Sequence, residues 1–446
     1  HDQLINIATD GESYGHHFRY GDMALAYALH SIDEHKQARI SIYAEFLEKH
    51  PPDREVEIHQ GSAWSCSHGV DRWKRDCGCN SGGHPEWNQQ WREPLRNALD
   101  WLRDRLIPLY ETKAKEFLKE PWAARNDYIS VILDRSTENL TKFFSRHAMY
   151  ELSEADQITA LRLLEMQRHA MLMYTSCAWF FDEISGIETV QVIQYAARAI
   201  QLAGELSSEN LEPGFLEILE TAKSNIPENQ NGRVIYERFV KPSVMTRDSV
   251  AAHYAISSLF QSYPDESRVY SFTVRQEDRQ LFTAGNVRLA VGRIKVTFDV
   301  TRNSDVVAYG VLHMGGHNLS CGTRFYQGQE NYAAMIEEMR AAFGRADFPH
   351  VIRLMDRYFG EPHYSVKNLF RDEQRKALNQ VLAATREEIH NTYRLITDRY
   401  APLVRFLADL KAPALKDLAL ATELVLNSEL RRQFDGDALD FERVRS

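Results

Sequence analysis

Cysteine is scarce in this chain, with five among 446 residues. That is too few to staple a protein of this length, so the disulfide framework of small secreted domains is excluded. Long apolar runs are missing too. None reaches the roughly 18 residues that a membrane-crossing helix requires, and the opening residues do not read as a signal peptide. There is no excess of basic charge: the net charge of −10 argues against nucleic acid or an anionic membrane as partner. Internal repeats and low-complexity tracts are absent. Together these absences point to a cytoplasmic, reducing setting. What is present is ordinary for a globular protein, with 43% hydrophobic and 26% charged residues. The length allows roughly two to four domains, each with its own core.

The opening stretch concentrates reactive side chains. Leu4, Ile5, Ile7 and Ala8 make a mostly apolar, uncharged run, as in a buried strand of a parallel sheet. It ends on Thr9-Asp10-Gly11-Glu12, where a glycine permits a sharp turn, followed by His16 and His17. Carboxylates and imidazoles would then sit at the C-terminal mouth of a strand, where barrel-like α/β enzymes do their chemistry. The plainer reading is a surface turn with Thr9 or Asp10 capping the next helix. The chain opens on His1 rather than Met and ends within a helical pattern, which reads as a piece of a longer protein.

Two short amphipathic helices are expected at 21–30 and 43–50, the second stopped by Pro51-Pro52, and Glu55 to Ile58 alternates like a strand. From Trp91 to about Phe260 the pattern is helical; Leu95, Leu99, Leu102 and Leu106 recur at i, i+4, i+7 and i+11, as in a bundle. The period changes near Tyr270. Segments 270–274, 287–291, 294–300 and 306–312 alternate or run β-branched, with a turn at 302–305. Helices resume from Asn331.

The loop 61–91 is dense in Gly, Cys, His and Trp. Long loops of this kind inside a compact domain are usually functional or disordered, and its tryptophans argue against disorder. Trp64, Trp73, Trp87 and Trp91, with His68, His84 and Asn88, supply the aromatic platforms and short polar groups that a sugar needs; Trp91 is the one most expected in the core. Cys66, His68, Cys77 and Cys79 place four soft ligands within fourteen residues, a candidate tetrahedral structural zinc, although Cys77-Gly78-Cys79 has one intervening residue where a standard knuckle has two. The alternative is buried thiols without metal. His313, His317 and Cys321 read as incidental residues of a Gly-rich hairpin.

Asp10-Gly11-Glu12-Ser13-Tyr14-Gly15-His16 resembles the fourth motif of glycoside hydrolase family 57, Asp-x-Glu-x-x-Gly-His. The Gly61-Ser62-Ala63-Trp64 and Gly82-Gly83-His84-Pro85-Glu86-Trp87-Asn88 segments are similar to that family's groove-lining segments, with Asn88 one residue early. Thr175-Ser176-Cys177-Ala178-Trp179-Phe180 resembles its fifth motif, with Ala178 in place of Asp and Phe180 in place of Pro. The chain further resembles the branch of that family bearing a C-terminal domain of unknown function 3536, which would account for most of it from about Trp91 onward.

The periodicities and the resemblance together imply an α+β, mostly α fold, the barrel part resting on the resemblance alone. Residues 1–60 would be the last strand and turn of a (β/α)7-type barrel, and 61–262 a substrate-groove loop and helical bundle. An antiparallel β insert (263–330) and a C-terminal helical region (331–446) would follow. It implies a retaining enzyme on α-glucans, with Asp10 as acid/base, Glu12 beside it, and a nucleophilic Glu upstream of His1. His16, Trp64, His68, His84, Trp87, Trp179 and Asp182 would bind an oligo- or polysaccharide. No cofactor is required beyond the candidate zinc. The expected partner is the preceding part of its own chain, without which this stretch should be inactive. Two alternatives stand beside it: a metal-dependent carbohydrate deacetylase using Asp10 and His16, and a non-catalytic glycan-binding helical module.

Overall fold

A computed structural model describes residues 3–316, 318–360, 364–369, 371–413 and 415–434; His317 lies outside them. The chain forms two units, residues 1–70 and 71–446.

In the first unit, α1 (Gly21–Glu34) and α2 (Tyr43–Lys49) form where their periodicity predicts. The expected strands at 4–8 and 55–58 do not form. Neither segment has regular secondary structure, and Ile5, Ile7 and Val56 are 88%, 79% and 88% exposed. A strand needs a neighbour for its backbone N–H and C=O groups, and no described residue pairs with either segment. Cys66 is the sole buried residue among those described in this unit.

The second unit begins with helices: α3 (Arg92–Ala114), α4 (Pro121–Asp127), α5 (Ile129–Leu133), α6 (Thr137–His147) and α7 (Glu154–Leu172). After them come α8 (Ile187–Leu206), α9 (Glu212–Leu219), α10 (Gly232–Ile235) and α11 (Arg247–Ser257). The leucine stripe of α3 is the centre of the bundle core, with Leu95, Leu99, Leu102 and Leu106 all fully buried. Each such burial is worth at most about 1.5–3 kcal/mol. Starts are set by local capping: Ser153 and Asp156 close a capping box on α7, and Thr246 and Ser249 close one on α11.

The change of period near Tyr270 corresponds to an antiparallel meander in the order β1-β2-β3-β4-β5, open rather than closed. Its strands are β1 (Glu266–Val269), β2 (Phe272–Ala284), β3 (Val287–Phe298), β4 (Ser304–His313) and β5 (Leu319–Phe325). Segments 287–291 and 294–300, read as separate strands, are one strand running through Gly292-Arg293. Both faces are covered, which is why β4 reads as a continuous apolar run. Val307, Tyr309 and Val311 pack with α11, whereas Ala308 and Leu312 face α12 (Gln329–Gly344) and α13 (Phe348–Phe359). The paired Gly310 and Gly322 form the notch for Phe359, whose ring atoms lie within 2.6 and 2.8 Å of where their Cβ atoms would be. Two long helices follow, α14 (Arg371–Asp409) and α15 (Lys416–Phe434), linked by an Arg394–Glu429 ion pair of 2.7 Å. No described helix is long and apolar enough to cross a membrane.

Candidate functional site

The Asp10 motif folds into a single 3-10 turn, Gly11–Ser13. The backbone N–H groups of His16 and His17 both donate to the Glu12 carbonyl, at 3.2 and 2.9 Å, and their rings sit edge to face at 4.9 Å. Asp10, Glu12, His16 and His17 are all exposed. Asp10, His16 and His17 do not form a group of three ligand atoms close enough to share one ion among the described residues.

The loop after residue 61 does assemble ligands. The sulfur and nitrogen atoms of Cys66, His68, Cys77 and Cys79 all lie within 4.8 Å of one another, and no other such group occurs among the described residues. In a tetrahedral zinc site, with metal–ligand bonds of about 2.0–2.3 Å, ligand atoms sit roughly 4 Å apart or less, so the observed spread needs only a sub-ångström inward shift. The Cys-x-Cys spacing works because Gly78 takes a left-handed conformation (φ +76°), with its N–H donating to Asp76 Oδ1 at 3.2 Å. A Cys3His donor set suits structural zinc, with no position left for substrate.

The rest of the loop is clamped onto the bundle. Arg92 Nη1 donates to the Cys79 carbonyl at 3.0 Å, and Trp73 Nε1 donates to the Ser176 carbonyl at 3.3 Å. Asp182, 3% exposed, accepts from the Ser81 backbone N–H at 2.9 Å and from its hydroxyl at 2.5 Å. Glu183, also buried, accepts from Asn225 N at 2.7 Å.

These contacts revise several expected roles. Asp182 is a buried anchor for the loop, both of its oxygens accepting from Ser81. Trp179, expected to stack on sugar, is 1% exposed within the bundle core, on a short turn whose Ala178 carbonyl accepts from Thr189 Oγ1 at 2.7 Å. An aromatic ring with no exposed face cannot serve as a platform. Trp64 is 87% exposed. His84 stacks on Trp87 at 3.8 Å, covering one of its faces.

Sequence reasoning passed over a buried, multiply bonded carboxylate of the bundle. Glu165 lies on α7 between buried Leu164 and Met166 and is itself 2% exposed. Its Oε1 accepts from the Tyr128 hydroxyl (2.7 Å) and Arg135 Nη2 (2.9 Å), and its Oε2 from Arg168 Nη1 (3.1 Å). Burial by itself raises its pKa, but these bonds and the nearby arginines prevail and lower it. The available signal was a carboxylate on the apolar face of a helix.

Residues 87–370 match the family described as Domain of unknown function (DUF3536). The chain belongs to the DUF3536 family. No curated protein and no solved structure matches it. The DUF3536 region begins at Trp87, after the Cys/His cluster, and takes in the bundle, the sheet and the helices α12 and α13.

Proposed function

We propose that this chain forms the C-terminal part of a retaining carbohydrate-active enzyme of glycoside hydrolase family 57 type, acting on α-glucans by hydrolysis or glucan transfer. The observation that carries the reading is the Asp10 turn. A tight 3-10 turn presents Asp10 and Glu12 to solvent directly after a segment whose Ile5 and Ile7 are exposed. Exposed isoleucines ahead of a carboxylate-bearing turn suit a barrel strand whose neighbours come from another part of the same chain. Asp10 donates a proton to the leaving glycosidic oxygen, then takes one from the incoming water or sugar hydroxyl. The nucleophilic Glu stands on the preceding part of the chain, with its carboxyl about 5–5.5 Å from that of Asp10. Trp64 offers an exposed ring for a sugar face, and residues 1–446 alone are inactive. Cys66, His68, Cys77 and Cys79 hold a structural zinc that fixes the loop.

The test is Asp10→Asn in the longest natural form of the protein, assayed on maltooligosaccharides and glycogen. The amide keeps the shape and removes the proton donor, so turnover should fall by several orders of magnitude. Turnover within about tenfold of wild type, on the order of 1.4 kcal/mol in barrier, would overturn the assignment.

A further inference from the structure

The bundle and the sheet border an open cavity of about 420 Å³ that has no part in the proposed glucan chemistry. That size lies within the roughly 300–1,000 Å³ typical of small-molecule sites. Its walls come from α7, α8, the turn at 240–245 and the adjoining ends of β2 and β3, all inside the DUF3536 match.

The charges facing it do not balance. Glu165 is already neutralised, since Arg135 and Arg168 share its two oxygens. His169 is neutral at pH 7, because burial lowers its pKa to about 4 against the opposing pull of Glu165, and its Nδ1 is buried without a hydrogen-bond partner. Arg198 is left over. Its Nη1 donates to the neutral Gln201 Oε1 at 2.6 Å, its guanidinium lies 5.1 Å from the Phe298 ring centre, and it makes no ion pair among the described residues. Burial works against its charge, and Glu205 and Glu165 act only from longer range. A half-buried guanidinium with no counter-ion is a costly arrangement that an incoming anion relieves.

The remaining lining suggests what bears the anion. Gln194 Nε2 donates to Ser243 Oγ at 3.1 Å, Ser243 Oγ to the Val240 carbonyl at 2.7 Å and Gln201 Nε2 to the Met245 carbonyl at 3.3 Å. The polar wall is thus held in place, and the Gln191 amide and the Gln194 carbonyl oxygen are what it offers to hydroxyl groups. Phe272 and Phe298, with ring centres 4.8 Å apart, make an apolar wall for the C–H face of a ring. A purely apolar guest or a neutral sugar would leave the Arg198 charge unanswered. We infer that this cavity binds an anionic monosaccharide, phosphorylated or carboxylated, with its anionic group on Arg198 and its ring against Phe272 and Phe298.

The test is calorimetric titration of the intact chain at neutral pH and low salt with glucose 6-phosphate and glucuronate, the two arms that separate phosphate from carboxylate. Glucose, benzoate and inorganic phosphate are the controls. At least one anionic sugar should bind with a Kd below about 1 mM, and each control at least tenfold more weakly. Arg198→Gln should weaken binding tenfold or more. Gln201→Glu, nearly the same shape, sets a carboxylate beside Nη1 and should abolish binding with the melting temperature retained; it decides the matter if Arg198→Gln does not fold. Failure of both anionic sugars to bind would overturn the inference. So would a control binding as tightly as they do, or wild-type affinity in Gln201→Glu. Since Asp10 and Trp64 take no part, loss of the glucan reading would leave this result untouched, and the reverse.

Discussion

Replacing Glu165 with Gln tests the central polar network of the bundle. The side chain is buried, and three donors converge on it: Tyr128, Arg135 and Arg168. Gln keeps the volume but removes the charge and turns an NH2 group toward at least one guanidinium. Breaking a buried ion pair by removing one partner costs about 3–5 kcal/mol. Here Arg135 and Arg168 are 28% and 33% exposed, so water compensates in part, and about 2–4 kcal/mol is expected. Arg135 also donates to the Val300 carbonyl at 3.2 Å, while Arg302 donates to the Arg135 carbonyl at 3.0 Å, so the junction of bundle and sheet should loosen as well. Calorimetric melting near pH 7 should show a drop of about 4–8 °C, taking the low end of the per-kcal shift for a unit this large. The pH dependence has a definite sign. The folded pKa of Glu165 lies below its ordinary 4.5, so its stabilisation is present above that value and is lost as pH falls through the folded pKa. The gap between wild type and Glu165→Gln should therefore narrow as pH is lowered from about 4.5. A variant melting within about 1 °C of wild type at neutral pH, or a gap unchanged down to about pH 3.5, would refute the reasoning.

Two other outcomes are expected. Protein purified without chelator should contain about one zinc per chain, and Cys77→Ser and Cys79→Ser should each lose it; elemental analysis finding less than about a tenth of an equivalent in wild type would end the zinc assignment. Asp182→Ala strips the Ser81 N–H and hydroxyl of their acceptor; Ser81 is exposed, so water takes its place and the cost is on the order of 1 kcal/mol per bond lost. Trypsin should then cut after Lys74 or Arg75 faster than in wild type, and equal cleavage rates would show that Asp182 does not anchor the loop.

Much of the architecture was legible in local pattern. The α3 leucines repeat with the helical period, and all four form the buried stripe of the bundle. The onset of alternation near Tyr270 marks the sheet, and Pro51-Pro52 ends α2 close to where it must. These features follow from backbone geometry within a few residues, so composition and spacing suffice. The expected strand at 4–8 failed because an apolar run is only half of a strand; the other half is a neighbour, and no described residue provides one.

The chemistry-bearing residues divide along the same line. Cys66, His68, Cys77 and Cys79 could be grouped from sequence because one short loop with a left-handed Gly78 brings them together. Trp179 could not be placed, since whether a tryptophan stacks on solvent or sits in a core depends on what α8 lays over it. Asp182 and Ser81 are 101 residues apart, and Tyr128 and Glu165 are 37 apart. The cavity beside Arg198 needs α7 and α8 from the bundle and Phe272 and Phe298 from the sheet, more than seventy residues further on. By itself, then, the sequence determined the periods, caps and turns, because those energies are local. Only the tertiary structure decided which charges are buried, which are neutralised and which is left facing an open cavity, because burial and Coulomb partners are properties of distant segments brought into contact.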